Sequence, residues 1–249
     1  MRALRILLIT AVILGGLFIA ADRIAVNMAE SETADKIRTS QGLSQTPDVS
    51  IKGFPFLTQV LGKQLDEVDV SVEGVTAAAD GRTVNVTEVK ADLRDVKIGS
   101  DFSSAVAGRA DGSARISYED LAKAAPEGAT VGYAGPERAA KGQVKVTGTP
   151  KDLLKSAGRS MGDSRFASLL EREVTVFSSV ELIDGKTVRF KAESLPGGIP
   201  LPGFDRLMRD AIDYDLTIEG VPSRITLDRV EATEGGLRFS GRAQDVAVG

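Results

Sequence analysis

Residues 53–75 read GFPFLTQVLGKQLDEVDVSVEGV, and two periods meet inside this one stretch. In its first half Phe56 or Leu57, Val60 and Leu61 recur at helical spacing, and Pro55 suits a first helical turn, where an N–H has no intrahelical partner anyway. From Asp66 onward Val68, Val70 and Val72 alternate with Asp69, Ser71 and Glu73. That is the period of a strand with one face on a core and the other in water. A helix handing over directly to a half-buried strand predicts an α+β domain. The segment also poses the functional question. Only nine of the 249 residues are Phe, yet Phe54 and Phe56 flank a single Pro, either as core or as a surface that receives something apolar.

Working outward, the same alternation recurs in RTVNVTEVKADLRDVKI (82–98), GQVKVTG (142–148), REVTVFSSVELI (172–183) and KTVRFKAE (186–193). It continues in YDLTIEG (214–220), SRITLDRVEA (223–232) and GGLRFSGRAQDVAV (235–248). The Asp-Gly pairs of ADGR (79–82) and IDGK (183–186) predict hairpin turns, so the sheet is mainly antiparallel. Further helices are expected at two places. One runs from TPKDLLKS (149–156) to LLERE (169–173), capped at Thr149 or Asp152 and split near Gly158 and Gly162. The other is GFDRLMRDAIDYD (203–215), with Phe204, Leu207, Met208, Ala211 and Ile212 on one stripe. A weaker helical turn lies in ISYEDLAKAA (116–125). A long twisted sheet curled around these amphipathic helices buries both their stripes and its own apolar face.

Composition removes whole classes of chemistry. The chain has no His and no Cys, which excludes His-based triads, His-ligated zinc, thiolate nucleophiles, disulfides and iron–sulfur clusters. The Gly-rich stretches GYAGPERAAKG (132–142) and PGGIPLPG (196–203) lack the Lys-Ser/Thr and the strand–helix context of nucleotide loops. Clustered carboxylates such as Asp210, Asp213 and Asp215 have no metal-binding loop spacing, so neither a metal site nor a cofactor is expected. Aromatics are 5% of the chain and Trp is absent, leaving aliphatic side chains to fill the core.

The N-terminus carries the clearest localisation signal. Arg2 and Arg5 precede an apolar run, and Leu4 to Ala21 is 18 residues, at the lower edge of the ~17–25 that cross a bilayer. It is a signal peptide or an uncleaved anchor. Phe18 and Ile19, two positions before Ala20 and Ala21, make a poor cleavage site and favour the anchor. In either case the basic flank stays inside and the chain from Asp22 faces outward. Residues 22–47 follow as a helical stalk and a polar linker, the stalk carrying only a thin apolar stripe of Ile24, Met28, Ala34 and Ile37. The domain proper is 48–249. The net charge of −4 becomes −6 without the two arginines of the first 21 residues, which argues against nucleic acid as a partner.

Two other features bear on binding. Lys151, Lys155 and Arg159 fall at i, i+4 and i+8, either a solvated helix face or a contact for anionic headgroups. In SLPGGIPLPGFDRLM (194–208), Pro196, Pro200 and Pro202 lie within seven residues among Leu195, Ile199, Leu201 and Phe204. This apolar, Pro-stiffened loop is either packed down as a lid or presented to something apolar.

The stretch 53–75, following QGLSQTPDVSIK (41–52), resembles the opening signature of the LmeA family of envelope phospholipid-binding proteins. RITLDRVEATEGGLRFSGRAQDVAV (224–248) resembles that family's closing hairpin, and the anchor with the stalk ADRIAVNMAESETADKIRTSQGLS (21–44) matches its architecture. The resemblance implies an extracytoplasmic protein with a fold similar to tubular lipid-binding domains, one that binds phospholipid or glycophospholipid and supports lipoglycan and lipid assembly in the envelope. It carries no catalytic motif. The expected site is non-catalytic, with acyl contacts from Phe54, Phe56, Leu57, Val60 and Leu61 and from Leu201, Phe204, Leu207 and Met208. The alternative is a structural module with a filled core that scaffolds an envelope biosynthetic enzyme.

Overall fold

A computed structural model describes residues 2–79, 82–100, 102, 104–156, 158, 167–195, 204–219 and 226–248. In chain order the elements begin with α1 (Arg2–Ser40), β1 (Asp48–Lys52), α2 (Phe56–Leu61), β2 (Gln64–Ala79), β3 (Arg82–Ile98) and β4 (Ala105–Ile116). Next come α3 (Tyr118–Ala124), β5 (Thr130–Tyr133), α4 (Pro136–Ala139), β6 (Gln143–Gly148), α5 (Pro150–Ser156) and α6 (Ala167–Leu170). The chain finishes with β7 (Val174–Ile183), β8 (Thr187–Ser194), α7 (Phe204–Ile212), β9 (Tyr214–Glu219), β10 (Thr226–Thr233) and β11 (Gly236–Val248). Hydrogen-bonded neighbours run β10-β11-β4-β3-β2-β9-β8-β7-β6-β5, with β1 beside β2 off this path. The class is α+β with antiparallel pairing, as the alternation predicts.

The chain divides into two compact units, 1–73 with 90–112 and 243–249, and 74–89 with 113–242. The long strands β2, β3, β4 and β11 each contribute residues to both. Each unit has its own apolar core.

The first unit is organised by α1, a continuous helix of 39 residues. Its first half is apolar and exposed on all sides, long and apolar enough to cross a membrane. Its second half is amphipathic. Asp22, Val26 and Ala34 are buried, with Ala25, Ala29 and Ile37 partly so, a stripe at the three-and-four spacing of one helix face. Ile24 and Met28, expected on the stripe from sequence alone, point to solvent instead, because the partners of α1 lie on the Val26 side. Those partners are β1 and α2. Val26 and Ala34 join Val49, Phe56, Leu65, Val68, Leu93, Val96 and Ala107 in one core. β1 pairs with β2 so that Val49 faces Val70 and Ile51 faces Val68. The Ile51 N–H donates to Glu30 Oε1 at 2.7 Å, tying the helix to the strand backbone.

In the second unit, helices cover the apolar side of the strands. Leu121 of α3, Leu153 and Leu154 of α5 and Met208, Ala211 and Ile212 of α7 pack with Val144, Val146, Val176, Val188, Phe190 and Leu216. Phe190 and Tyr214 are direct cross-strand neighbours, and their rings stack at 4.5 Å. The β7–β8 hairpin turns through Asp184 and Gly185, both at positive φ, the conformation for which an Asp-Gly pair is selected. The ADGR turn tip, Asp80 and Gly81, lies outside the described residues. Ser117 caps α3 by accepting the Asp120 N–H, and Thr149 receives the Asp152 N–H at the start of α5. The Tyr118 hydroxyl donates to the Thr233 carbonyl at 2.7 Å; burial, with Tyr133 adding to it, pushes this phenol up to about 12.

Several elements lie outside the expected set. β4 (AVAGRADGSARI) is interrupted by Gly108 and Gly112 and has no clean alternation, so pairing with its neighbours makes it a strand where its own pattern does not. β1 and β5 are too short to show a period, and α4 is a single turn started by Pro136. The helix of GFPFLTQVLGKQL stops at Leu61, and β2 already begins at Gln64. α5 ends at Ser156, and Gly158 follows at φ +72°, the left-handed conformation that closes a helix.

Candidate functional site

The GFPF segment is where the membrane-length helix meets the folded first unit. Pro55 stands at the N-cap of α2 and offers no side-chain cap, yet the first backbone N–H groups of a helix have no partner within it. Asp22 of α1 supplies one from outside: its Oδ1 accepts the Leu57 N–H at 2.8 Å, and the Phe56 N–H also contributes. The Asp22 side chain is fully buried and paired with Arg23 at 2.7 Å. Burial works to raise its pKa, but the Leu57 N–H, Arg23 and the Phe56 N–H together hold it below 3.8. A carboxyl depressed on folding contributes stability that is fully present above its unfolded value and lost as pH falls through the folded one. The contribution of Asp22 to the α1–α2 junction is therefore lost in acid.

The far end of α2 is held as tightly. Gln59 donates to the Lys52 carbonyl at 3.2 Å and accepts the Asp66 N–H at 2.9 Å, bridging β1 and β2. Gly53, at φ +92°, sits so close that a Cβ there would stand 2.5 Å from Gln59 Nε2. Glycine is the residue that fits this approach.

This arrangement splits the apolar residues of the motif. Phe56 is 6% exposed and sits in the core with Val26, Ala34 and Val49, and Leu57 and Val60 pack partly against that core. Phe54 is 57% exposed and Leu61 83%. The Arg23 guanidinium lies 5.3 Å from the Phe54 ring centroid. A second exposed aromatic stands nearby. The Lys63 carbonyl accepts the Ile98 N–H at 2.9 Å, and the Lys63 ammonium lies 5.6 Å from the centroid of Phe102, itself 58% exposed. Asp22, Arg23, Lys63 and Phe102 do not stand out in the sequence. The charges read as ordinary flanks of an apolar run, and Phe102 stands alone in the polar stretch GSDFSS.

The other candidate residues belong to the second unit. Met208 on α7 is wholly buried in that unit's core. Phe204 and Leu207 lie on the same helix, but their side chains, like all of Leu201 and Arg159, fall outside the described residues. Lys151 is ion-paired with Glu171 at 2.9 Å, which raises its pKa and keeps it charged; Lys155 is exposed. Asp215 takes both prongs of Arg189 at 2.7 Å, and Asp213 accepts the Ala192 N–H at 2.7 Å. These carboxylates hold strands together. Among the described residues no cluster of three or more His, Cys, Asp or Glu could hold a metal ion.

One polar feature of the first unit has a measurable signature. Asp69 Oδ1 is buried with no donor facing it, while Lys52 reaches its Oδ2 at 3.2 Å. Burial, then the neighbouring Asp69 and Glu67 carboxylates, raise the pKa of Asp92, since a protonated Asp92 can donate to Asp69. A raised carboxyl contributes stability present below its unfolded value that is lost as pH rises through the folded one. Asp92→Asn removes the repulsion and keeps a donor. The variant should resist urea better than the parent at pH 7, and the advantage should vanish as pH falls through the carboxylate range. An advantage of the same size in acid would refute this account.

The sequence model of a family described as LmeA-like phospholipid-binding matches residues 20–242. Neither a curated protein nor a solved structure matches the chain.

Proposed function

The chain belongs to the LmeA-like phospholipid-binding family, and from that premise we propose that it is a membrane-tethered phospholipid-binding protein of the cell envelope. Its α1 helix is held in the cytoplasmic membrane, with Arg2 and Arg5 on the inner side, so that everything from Asp22 onward is displayed outside the cytoplasm. It binds phospholipid or glycophospholipid and supports the assembly of envelope lipoglycans and lipids without catalysing a reaction. The observation that carries the reading is the extent of the family match, which covers both units and begins at the end of the apolar run. The antiparallel, Val-rich sheet and amphipathic helices supply apolar surface for acyl chains, where affinity grows by ~0.8 kcal/mol per CH₂ removed from water. We assign acyl contact to the apolar side chains of the α2 segment that the core leaves accessible (Phe54, Leu57, Val60, Leu61) and to Leu201, Phe204 and Leu207, while Phe56 and Met208 fill the cores of their units. Lys151, Lys155 and Arg159 are assigned to headgroups.

The test is direct. A fragment starting at residue 22 keeps Val26 and Ala34, which a fragment starting at residue 48 would remove from the core around Phe56. Purified without added lipid, extracted with organic solvent and measured by mass spectrometry, it should release phospholipid. A folded fragment that releases none, and that takes none up from vesicles, contradicts the assignment.

A further inference from the structure

We propose that the α2 turn is a membrane-entering face, on which Phe54, Leu61 and Phe102 insert into the interfacial layer of the same bilayer that holds α1. This rests on the reading of α1 as a retained tether, and it adds where and by which residues the folded part meets lipid.

Helix lengths set the height of this turn. The run Leu4–Ala21, 18 residues, spans about 27 Å as a helix, slightly less than a hydrocarbon core of about 30 Å. The whole run is needed to cross, so Asp22 is drawn to the boundary where hydrocarbon gives way to headgroups. Asp22 is also the residue whose carboxylate holds the Leu57 N–H at 2.8 Å. The start of α2 is thereby fixed at the height of that boundary. With six residues, α2 is only about 9 Å long, comparable with the headgroup layer, whose depth is about 5–8 Å on each side.

The surface chemistry agrees. Among the described residues, every exposed large apolar side chain lies in the first unit. Beyond the span these are Ile24, Met28, Phe54, Leu61, Phe102 and Val106. Ile24 and Met28 fall within two turns of the span's end, opposite the buried stripe of α1. The two exposed rings each carry a cation, Arg23 over Phe54 and Lys63 over Phe102. An apolar body beside a basic tip suits the boundary layer, where the ring leaves water and the cation meets phosphate. In water the same arrangement leaves Leu61 almost wholly exposed with nothing to cover it.

Because the chain has no cysteine, Leu61→Cys installs a single thiol for an environment-sensitive dye. The full chain is reconstituted into phosphatidylcholine–phosphatidylglycerol vesicles containing lipids with a quencher on the acyl chain. At residue 61 the dye emission should shift to the blue and be quenched. A dye at Lys36→Cys, an exposed site about 22 Å further along α1 than Ala21, should show neither effect. Adding Phe54→Asp to Leu61→Cys, a change at an exposed position that leaves the unit folded, should abolish the quenching. If the chain floats with the vesicles but residue 61 behaves like residue 36, or if Phe54→Asp changes nothing, the face is wrong and the tether stands. If the chain does not float, tether and face fail together. Loss of co-purifying phospholipid alone would count against the binding function and leave this face intact.

Discussion

Phe56→Ala is expected to destabilise the first unit by about 3–5 kcal/mol, the usual cost of truncating a buried Phe. Its ring shares one core with α1, β1 and the strand residues Leu65, Val68, Leu93 and Val96, so the cavity opens where several segments of chain converge. A loss of that size approaches the whole stability of a small domain. It should appear as loss of amide-exchange protection across residues 22–73, while the Phe190 region of the second unit keeps its protection. Phe54→Ala, one Pro away but exposed, should stay within about 0.5 kcal/mol of the parent. Equal effects from the two substitutions would overturn the division of GFPF into a core residue and a surface residue.

Phe190→Ala should cost the second unit about 3–5 kcal/mol, and loss of the stack on Tyr214 should add about 0.5–1.5 kcal/mol. Phe190 is wholly buried, and its ring lies 4.5 Å from that of Tyr214 at an interplanar angle of 8°. Phe190→Leu keeps most of the buried volume and should lose far less. Urea midpoints for the three proteins order the cases. A Leu variant as unstable as the Ala variant would mean that ring stacking, rather than filled volume, dominates at this site.

Much of this architecture is legible in the sequence, for identifiable reasons. Val84, Val86, Val144, Val146, Val176 and Val188 alternate with polar residues, and all are buried. On α7 the described members of the expected stripe, Met208, Ala211 and Ile212, are buried as the spacing predicts. The resemblance to the LmeA family, drawn from the two ends of the chain, agrees with a match that also runs through the middle. The division of the site is not legible. Phe54 and Phe56 are equally apolar and separated only by Pro55, and what distinguishes them is the direction from which α1 arrives. That direction is set by Asp22, an acidic residue whose local sequence gives no hint that its partner is a backbone N–H 35 positions away. Likewise Glu30 bonds the edge of β1 from a distance in sequence, where stalk composition alone suggests a free helix.

The interleaving of the two units also sets an order in time. The residues clustered around Phe56 lie between Val26 and Ala107, whereas the core of the second unit spans Val84 to Phe239, and the first unit also takes in 243–249 with the buried Ala243. The Phe56 cluster is therefore synthesised before half of the 249 residues have been made, but the first unit is completed only by residues 243–249. At about 5–20 residues per second, translation of the chain beyond Ala107 takes roughly 7–30 seconds. Over that interval the hairpin residues Val75, Val84 and Val86 have emerged, but Phe190, Leu216 and Phe239, with which they share a core, have not. Until then the nascent chain carries β2, β3 and β4 without β9 and β11, the strands that stand beside them in the finished sheet.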